Sequence, residues 1–297
     1  MSPEEIITTA VLVAVLALSA YFLLVRDARG TPPGLPRHQG EYTASRPLLL
    51  VDRDGHPLPQ WGALDTLAVV LIVVVGAFAA QVAAFVVLGV ATAIVDPGFD
   101  IETWLDTPTG VSSFHVIFWA VEVGGPLLYL RARGYAFDRF TFGFRPTRFG
   151  YALGIWIATM FGCYLVIPAT YTSLVEAYEL FELPRQEVVE PFGLTWGGFV
   201  IALITVAIAT PFVEEFLFRG VIHRGLEKRL GFFLAAIASS TIFALAHLPH
   251  WGLMPILFSI GFGFALMLRV TGSLWLPIAG HFVVNTVAVI VNFRELF

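Results

Sequence analysis

The chain has 297 residues, 57% of them hydrophobic and 13% charged, with a formal net charge of -5. Soluble domains carry about 25% charged residues, so this composition cannot coat a water-facing surface, and the apolar residues fall in runs long enough to span a bilayer. The single Cys163 excludes a disulfide framework or a cysteine zinc site, and the chain has no Lys/Arg stripe for nucleic acid.

Residues 6–25 form the first predicted span. Glu4 and Glu5 precede it and no basic residue does, which departs from the basic leader of a secretory signal and predicts a retained helix. Residues 26–62 are the one sizeable loop, and Asp54-Gly55 predicts a small hairpin within 46–59. Further apolar runs predict spans at 63–95, 113–130, 150–174, 196–229, 231–248, 252–269 and 274–293. The expected fold is therefore all-α, a polytopic transmembrane bundle of about eight spans. The runs 63–95 and 196–229 exceed one crossing and must tilt, kink or protrude.

The loops alternate in charge. Arg26, Arg29, Arg37, Arg46 and Arg53 lie in the first, and Arg131, Arg133, Arg139, Arg145 and Arg148 in the third. Arg219, Arg224, Lys228 and Arg229 flank the next turn on that side, and Arg269 closes the seventh span. The opposite loops hold Asp96, Asp100, Glu102 and Asp106, then Glu176, Glu179, Glu182, Glu187 and Glu190; Arg185 and Arg294 alone break the pattern. The positive-inside rule makes the basic face, with the 26–62 loop, cytoplasmic and puts both termini outside.

Ionisable residues inside spans are costly and usually functional. They concentrate here in the last hundred residues: Glu214-Glu215-Phe-Leu-Phe-Arg219, Phe243-Ala-Leu-Ala-His247 and His281-Phe-Val-Val-Asn285. Glu215 and Arg219, four apart on a helix, share a face and read as a structural ion pair. Glu214 points about 140° away from Arg219 and is left for another role. His281 and Asn285 project together. A hairpin turning near Leu230-Gly231 puts Glu214 and His247 at one level, about 25 Å from the turn, although Pro249 then falls inside the membrane. His281 lies about 15 Å from the turn near Thr271, which fits if the hairpin projects beyond the bilayer.

A carboxylate, two imidazoles and an amide in a dry pocket suit hydrolysis of an amide. Glu and His can take a proton from water, and the remaining His and Asn can donate to an oxyanion. The same Glu214, His247 and His281 are also a zinc-type ligand set, so a divalent metal such as zinc stays open beside a metal-free mechanism. Asn is a poor zinc ligand and a good oxyanion donor, which favours the metal-free one. HExxH and GxSxG motifs are absent.

The motifs EExxxR, FxxxH and HxxxN, in this order on C-terminal spans, closely resemble the CPBP family, also called Abi, of CaaX prenyl proteases and bacteriocin-processing enzymes. The resemblance covers about residues 200–290. It implies an eight-helix fold and an intramembrane endopeptidase acting on membrane-associated substrates such as prenylated C-terminal peptides or leader peptides. It implies that Glu214 and His247 activate water while His281 and Asn285 stabilise the oxyanion. The chain then divides into N-terminal helices over 1–195 and a catalytic helix core over 196–297.

The rival class is a transporter or non-catalytic scaffold with a buried polar network. Clustering of the polar residues in one half favours the enzyme. Glu122, beside Gly124, Gly125 and Pro126, reads as capping a kink or pairing with a buried donor. His250 lies past Pro249, so its direction is open. Phe243 reads as packing that orients His247, and His115 and His223 as interfacial.

Overall fold

The computed structural model describes residues 55–96, 98–183 and 190–297, leaving the side chains of Glu190 and of residues 248–250 undescribed. The span expected at 6–25, most of the 26–62 loop and the His250 side chain lie outside what is described. The regular elements among the described residues are helices, with no strand among them.

Six helices among the described residues are long and apolar enough to cross a membrane. They are Ala63–Val95 (α1), Pro108–Ala132 (α2), Phe149–Ala177 (α3), a 50-residue rod over Trp196–Leu245, Trp251–Thr271 and Trp275–Asn292. Gly231 breaks the rod with φ 71° and ψ 171°, a left-handed conformation open to a residue without Cβ. The break makes two arms, residues 196–230 (α4) and 232–245 (α5), which fold as the hairpin expected near Leu230-Gly231. Met254–Thr271 (α6) and Trp275–Asn292 (α7) complete the bundle. With α4 and α5 counted apart, seven segments stand where seven spans were expected from residue 63 onward. The protein is a multi-pass integral membrane protein.

Boundaries shifted where caps outrank hydropathy. α2 starts at Pro108, ahead of the expected 113, because Thr107 accepts the Gly110 amide at 3.2 Å and Pro108 suits a first turn. At the other end of the site core, α5 stops at Leu245 and a 3-10 turn over Leu248–Leu253 carries the chain into α6. Tyr171 of α3 donates to the Gly252 carbonyl at 2.8 Å, and Phe181, beyond α3, packs on Trp251 at 4.7 Å. Pro249 therefore belongs to a turn near the acidic-loop end, not to the interior of a span.

The basic loops gather at the opposite end. Leu274 donates to Gly143, and Ser273 to the Arg145 carbonyl, both at 2.6 Å. Trp61 donates to Val221 at 2.9 Å, and Phe142 packs on Trp61 and Phe216 in the core. Asp65 ties α1 to the end of α2 through Tyr129, Arg133 and Tyr135. Arg269 near the end of α6 meets Glu227 in the last turn of α4 at 3.1 Å.

Two of the three π-helical stretches among the described residues share one cause. A proline five residues after a carbonyl has no N–H to give it. In α3, the Ile167 amide bonds Gly162, five residues back, and Pro168 follows. The Cys163 carbonyl is thus left without a helical donor, and Ser259 of α6 supplies one at 2.8 Å. The same device recurs in α4, where it bears on the site.

Candidate active site

In α4 the Thr210 amide bonds Thr205, five residues back, and Pro211 follows. The Val206 carbonyl therefore loses Thr210 as its α-helical donor and finds no N–H at 211. Asn285 of α7 donates its side-chain amide to it at 2.8 Å. One of the two Asn285 amide protons is thereby spent, the side chain is fixed, and the second proton remains for a ligand.

Glu214 and Glu215 follow within one turn. Glu215 and Arg219 are fully buried and paired at 3.1 Å, an ionic contact short of good hydrogen-bond alignment. Arg219 also donates to the Gly261 carbonyl at 2.9 Å and lies over the Phe243 ring at 4.7 Å. A Cβ on residue 261 would sit 3.0 Å from the guanidinium, so glycine keeps that approach open.

Glu215 does more than the sequence predicts. Its Oε1 lies 3.0 Å from His281 Nδ1. A carboxylate held by arginine only accepts, so Nδ1 carries the hydrogen. His281 Nε2 then faces Glu214 Oε2 at 3.7 Å. Besides pairing with Arg219 as expected, Glu215 reaches the site: α7 inserts His281 between the two neighbouring carboxylates, with one ring nitrogen facing each. The Phe264 ring stacks on His281 at 5.2 Å and fixes its plane.

His247 is set by Phe243, one turn earlier. Its Nδ1 is 2.9 Å from the Phe243 carbonyl, which only accepts, so Nε2 is left as the lone-pair nitrogen. The Phe243 ring packs on His247 at 4.9 Å and edge-on to His281 at 5.9 Å. The FxxxH spacing thus serves both histidines.

Glu214, His247, His281 and Asn285 line one cavity of about 460 Å³, together with His115, Tyr164 and Thr210. A second cavity of about 280 Å³ adjoins it through Glu214, Thr210 and His115, and Glu122 lines it. His115, read as interfacial, thus lies at the cavities, and His223, read likewise, is buried. Glu214 Oε2 is buried with no hydrogen-bond partner among the described residues. Tyr164 and Thr210 had no motif to mark them; only the fold brings them in.

A zinc ion would find suitable donor types here: a carboxylate and two imidazoles whose Nδ1 groups are already engaged. The spacing does not fit. Among the described residues no three His, Cys, Asp or Glu side chains are placed to hold a metal ion.

Residues 196–287 match the family model described as Type II CAAX prenyl endopeptidase Rce1-like. This bears out, for that segment, the resemblance drawn from the three motifs. Two Bacillus subtilis (strain 168) proteins are similar over part of the chain. "Putative membrane peptidase YdiL" is 34% identical over 98 residues, 32% of this chain and 39% of the relative. "Uncharacterized protein YpbD" is 37% identical over 90 residues, 29% of this chain and 42% of the relative. The matches thus span about two fifths of each relative's length. No solved structure matches the chain.

Proposed function

We propose that the protein is an intramembrane endopeptidase that hydrolyses membrane-associated peptides with a water molecule activated by Glu214 and His247. The observation that carries this reading is the shared cavity. A buried carboxylate oxygen without a hydrogen-bond partner, two imidazoles with pinned Nδ1 groups and a fixed amide all line it. The match of residues 196–287 to a prenyl endopeptidase family supports the same reading.

In the proposed reaction, water attacks the scissile carbonyl carbon and gives its proton to Glu214, with His247 Nε2 accepting from it. The free N–H of Asn285 and a protonated Nε2 of His281 donate to the oxyanion. When the C–N bond breaks, the proton leaves on the amine. Glu215 and Arg219 hold His281 in orientation and touch no reacting atom. No step runs through a metal.

The substrate classes to try first are prenylated C-terminal peptides and leader peptides. The basic loops are proposed to face the cytoplasm, with both termini outside. The test is purified protein in proteoliposomes with a panel of membrane-anchored peptides of both classes, products read by mass. The proposal expects cleavage to one new carboxylate and one new amine, surviving exhaustive chelation. No cleavage of any peptide, with proton or ion flux through the same vesicles, would replace it with the transporter reading; loss on chelation with return on Zn²⁺ would replace the metal-free mechanism.

A further inference from the structure

The second cavity is not used by the mechanism above. Its walls include the rings of Phe114, Phe118 and Trp119 of α2. Glu122, on the same helix, also lines it and is only 5% exposed. No hydrogen bond or ion pair engages the Glu122 side chain among the described residues, so of its two sequence readings, capping a kink or pairing with a buried donor, the donor is not supplied by them. A buried carboxyl without a partner is costly, and natural proteins seldom bury Glu unpaired.

The other polar groups of this cavity do not relieve that cost. His115 engages the Val111 carbonyl through Nδ1 at 2.8 Å, which leaves its Nε2 as an acceptor. Thr210 gives its hydroxyl proton to Thr205 at 3.0 Å, which leaves oxygen lone pairs. Glu214 is a second carboxyl. Gln81 of α1 and the indole of Trp119 are the lining side chains with N–H groups to offer, against acceptors on Glu122, Glu214, His115 and Thr210. A space so rich in acceptors, walled by aromatic rings, is complementary to a group with several N–H donors and a positive charge. A primary ammonium group has that chemistry.

Peptide hydrolysis makes such a group at a defined place. The amine leaves from beside Glu214, and Glu214, with His115 and Thr210, lines both cavities. We propose that the Glu122 cavity is the leaving-side subsite and binds an ammonium group, either the α-amine of the released fragment or a lysine side chain of the substrate beyond the cut. The subsite deepens the peptidase reading and rests on it for its biological role, but ammonium binding itself does not require turnover.

The experiment uses the purified full chain and three probe peptides in an equilibrium binding assay: Ala-Leu-Phe-amide with a free α-amine, its N-acetyl form, and N-acetyl-Lys-Leu-Phe-amide. The proposal expects at least one cationic peptide to bind about 10- to 100-fold tighter than the neutral one, the range for a charge-assisted hydrogen bond. Preference for the free α-amine identifies the released fragment as the source, and preference for the acetylated lysine peptide identifies a substrate side chain. Glu122→Gln should erase the preference, and so should Glu122→Leu, with thermal unfolding confirming that each variant is folded. Equal binding of all three peptides, or a preference that survives in both folded variants, overturns the subsite. Amine binding without cleavage of any peptide would sink the peptidase reading alone; cleavage without amine preference would sink the subsite alone.

Discussion

Replacing Pro211 with alanine tests how the site holds Asn285. The substitution returns an N–H to position 211, five residues beyond the Val206 carbonyl that now accepts from Asn285 at 2.8 Å. In the π register that N–H reaches the same carbonyl; in the α register the Thr210 amide does. Either donor competes with Asn285. A neutral hydrogen bond is worth about 0.5–1.5 kcal/mol net, so freeing Asn285 should lower turnover by roughly 2- to 10-fold. Stability should stay within about 1 kcal/mol of wild type, because the carbonyl exchanges one donor for another. The assay pairs turnover in proteoliposomes with denaturant unfolding in detergent, for Pro211→Ala, Asn285→Ala and the double variant. Asn285→Ala alone leaves the Val206 carbonyl without a donor at about 1–3 kcal/mol. Adding Pro211→Ala should recover part of that stability and cost no further turnover. Equal fractional losses of turnover from Pro211→Ala in both backgrounds would refute the reasoning.

Three further outcomes are expected. Glu215→Gln removes the anion beside a fully buried Arg219 and should destabilise by about 3–5 kcal/mol, while Glu214→Gln should change unfolding by less than about 1 kcal/mol; equal losses would contradict the separate roles. Asn285→Ala should reduce turnover by about 100- to 1,000-fold without abolishing it, and complete loss in folded protein would contradict an oxyanion role. In a Cys163→Ser background, a membrane-impermeant maleimide added to intact cells should label Leu180→Cys and spare Arg148→Cys, both at exposed positions. The reverse pattern would overturn the orientation.

Much of this fold was legible because bilayer physics constrains it tightly. Runs of apolar residues marked the described spans, and the turn at Gly231 followed from their length. Arg219 required an anion, and the four-residue spacing supplied Glu215. The same projection hid the contact of Glu215 with His281, because a wheel drawn for one helix says nothing of a ring inserted from another. Hydropathy placed the start of α2 late, since Thr107 and Pro108 begin the helix by capping chemistry before the apolar run. The partner of Asn285 could have been anticipated. Pro211 inside a long apolar run implies an unpaired carbonyl at Val206 or nearby, and a buried amide is a natural donor to it. His115 and Glu122 stayed illegible because cavities form between helices and leave no periodic mark.

The measurement that bears most directly on the account is the turnover of Glu214→Gln beside wild type, on one membrane-anchored peptide that wild type cleaves. Both proteins should first show matching unfolding transitions. The carboxylate is the proposed proton acceptor for the attacking water, and an amide of the same shape cannot accept that proton. The account predicts cleavage by wild type and no detectable cleavage by the folded variant. Turnover of the variant at a rate comparable to wild type would contradict it.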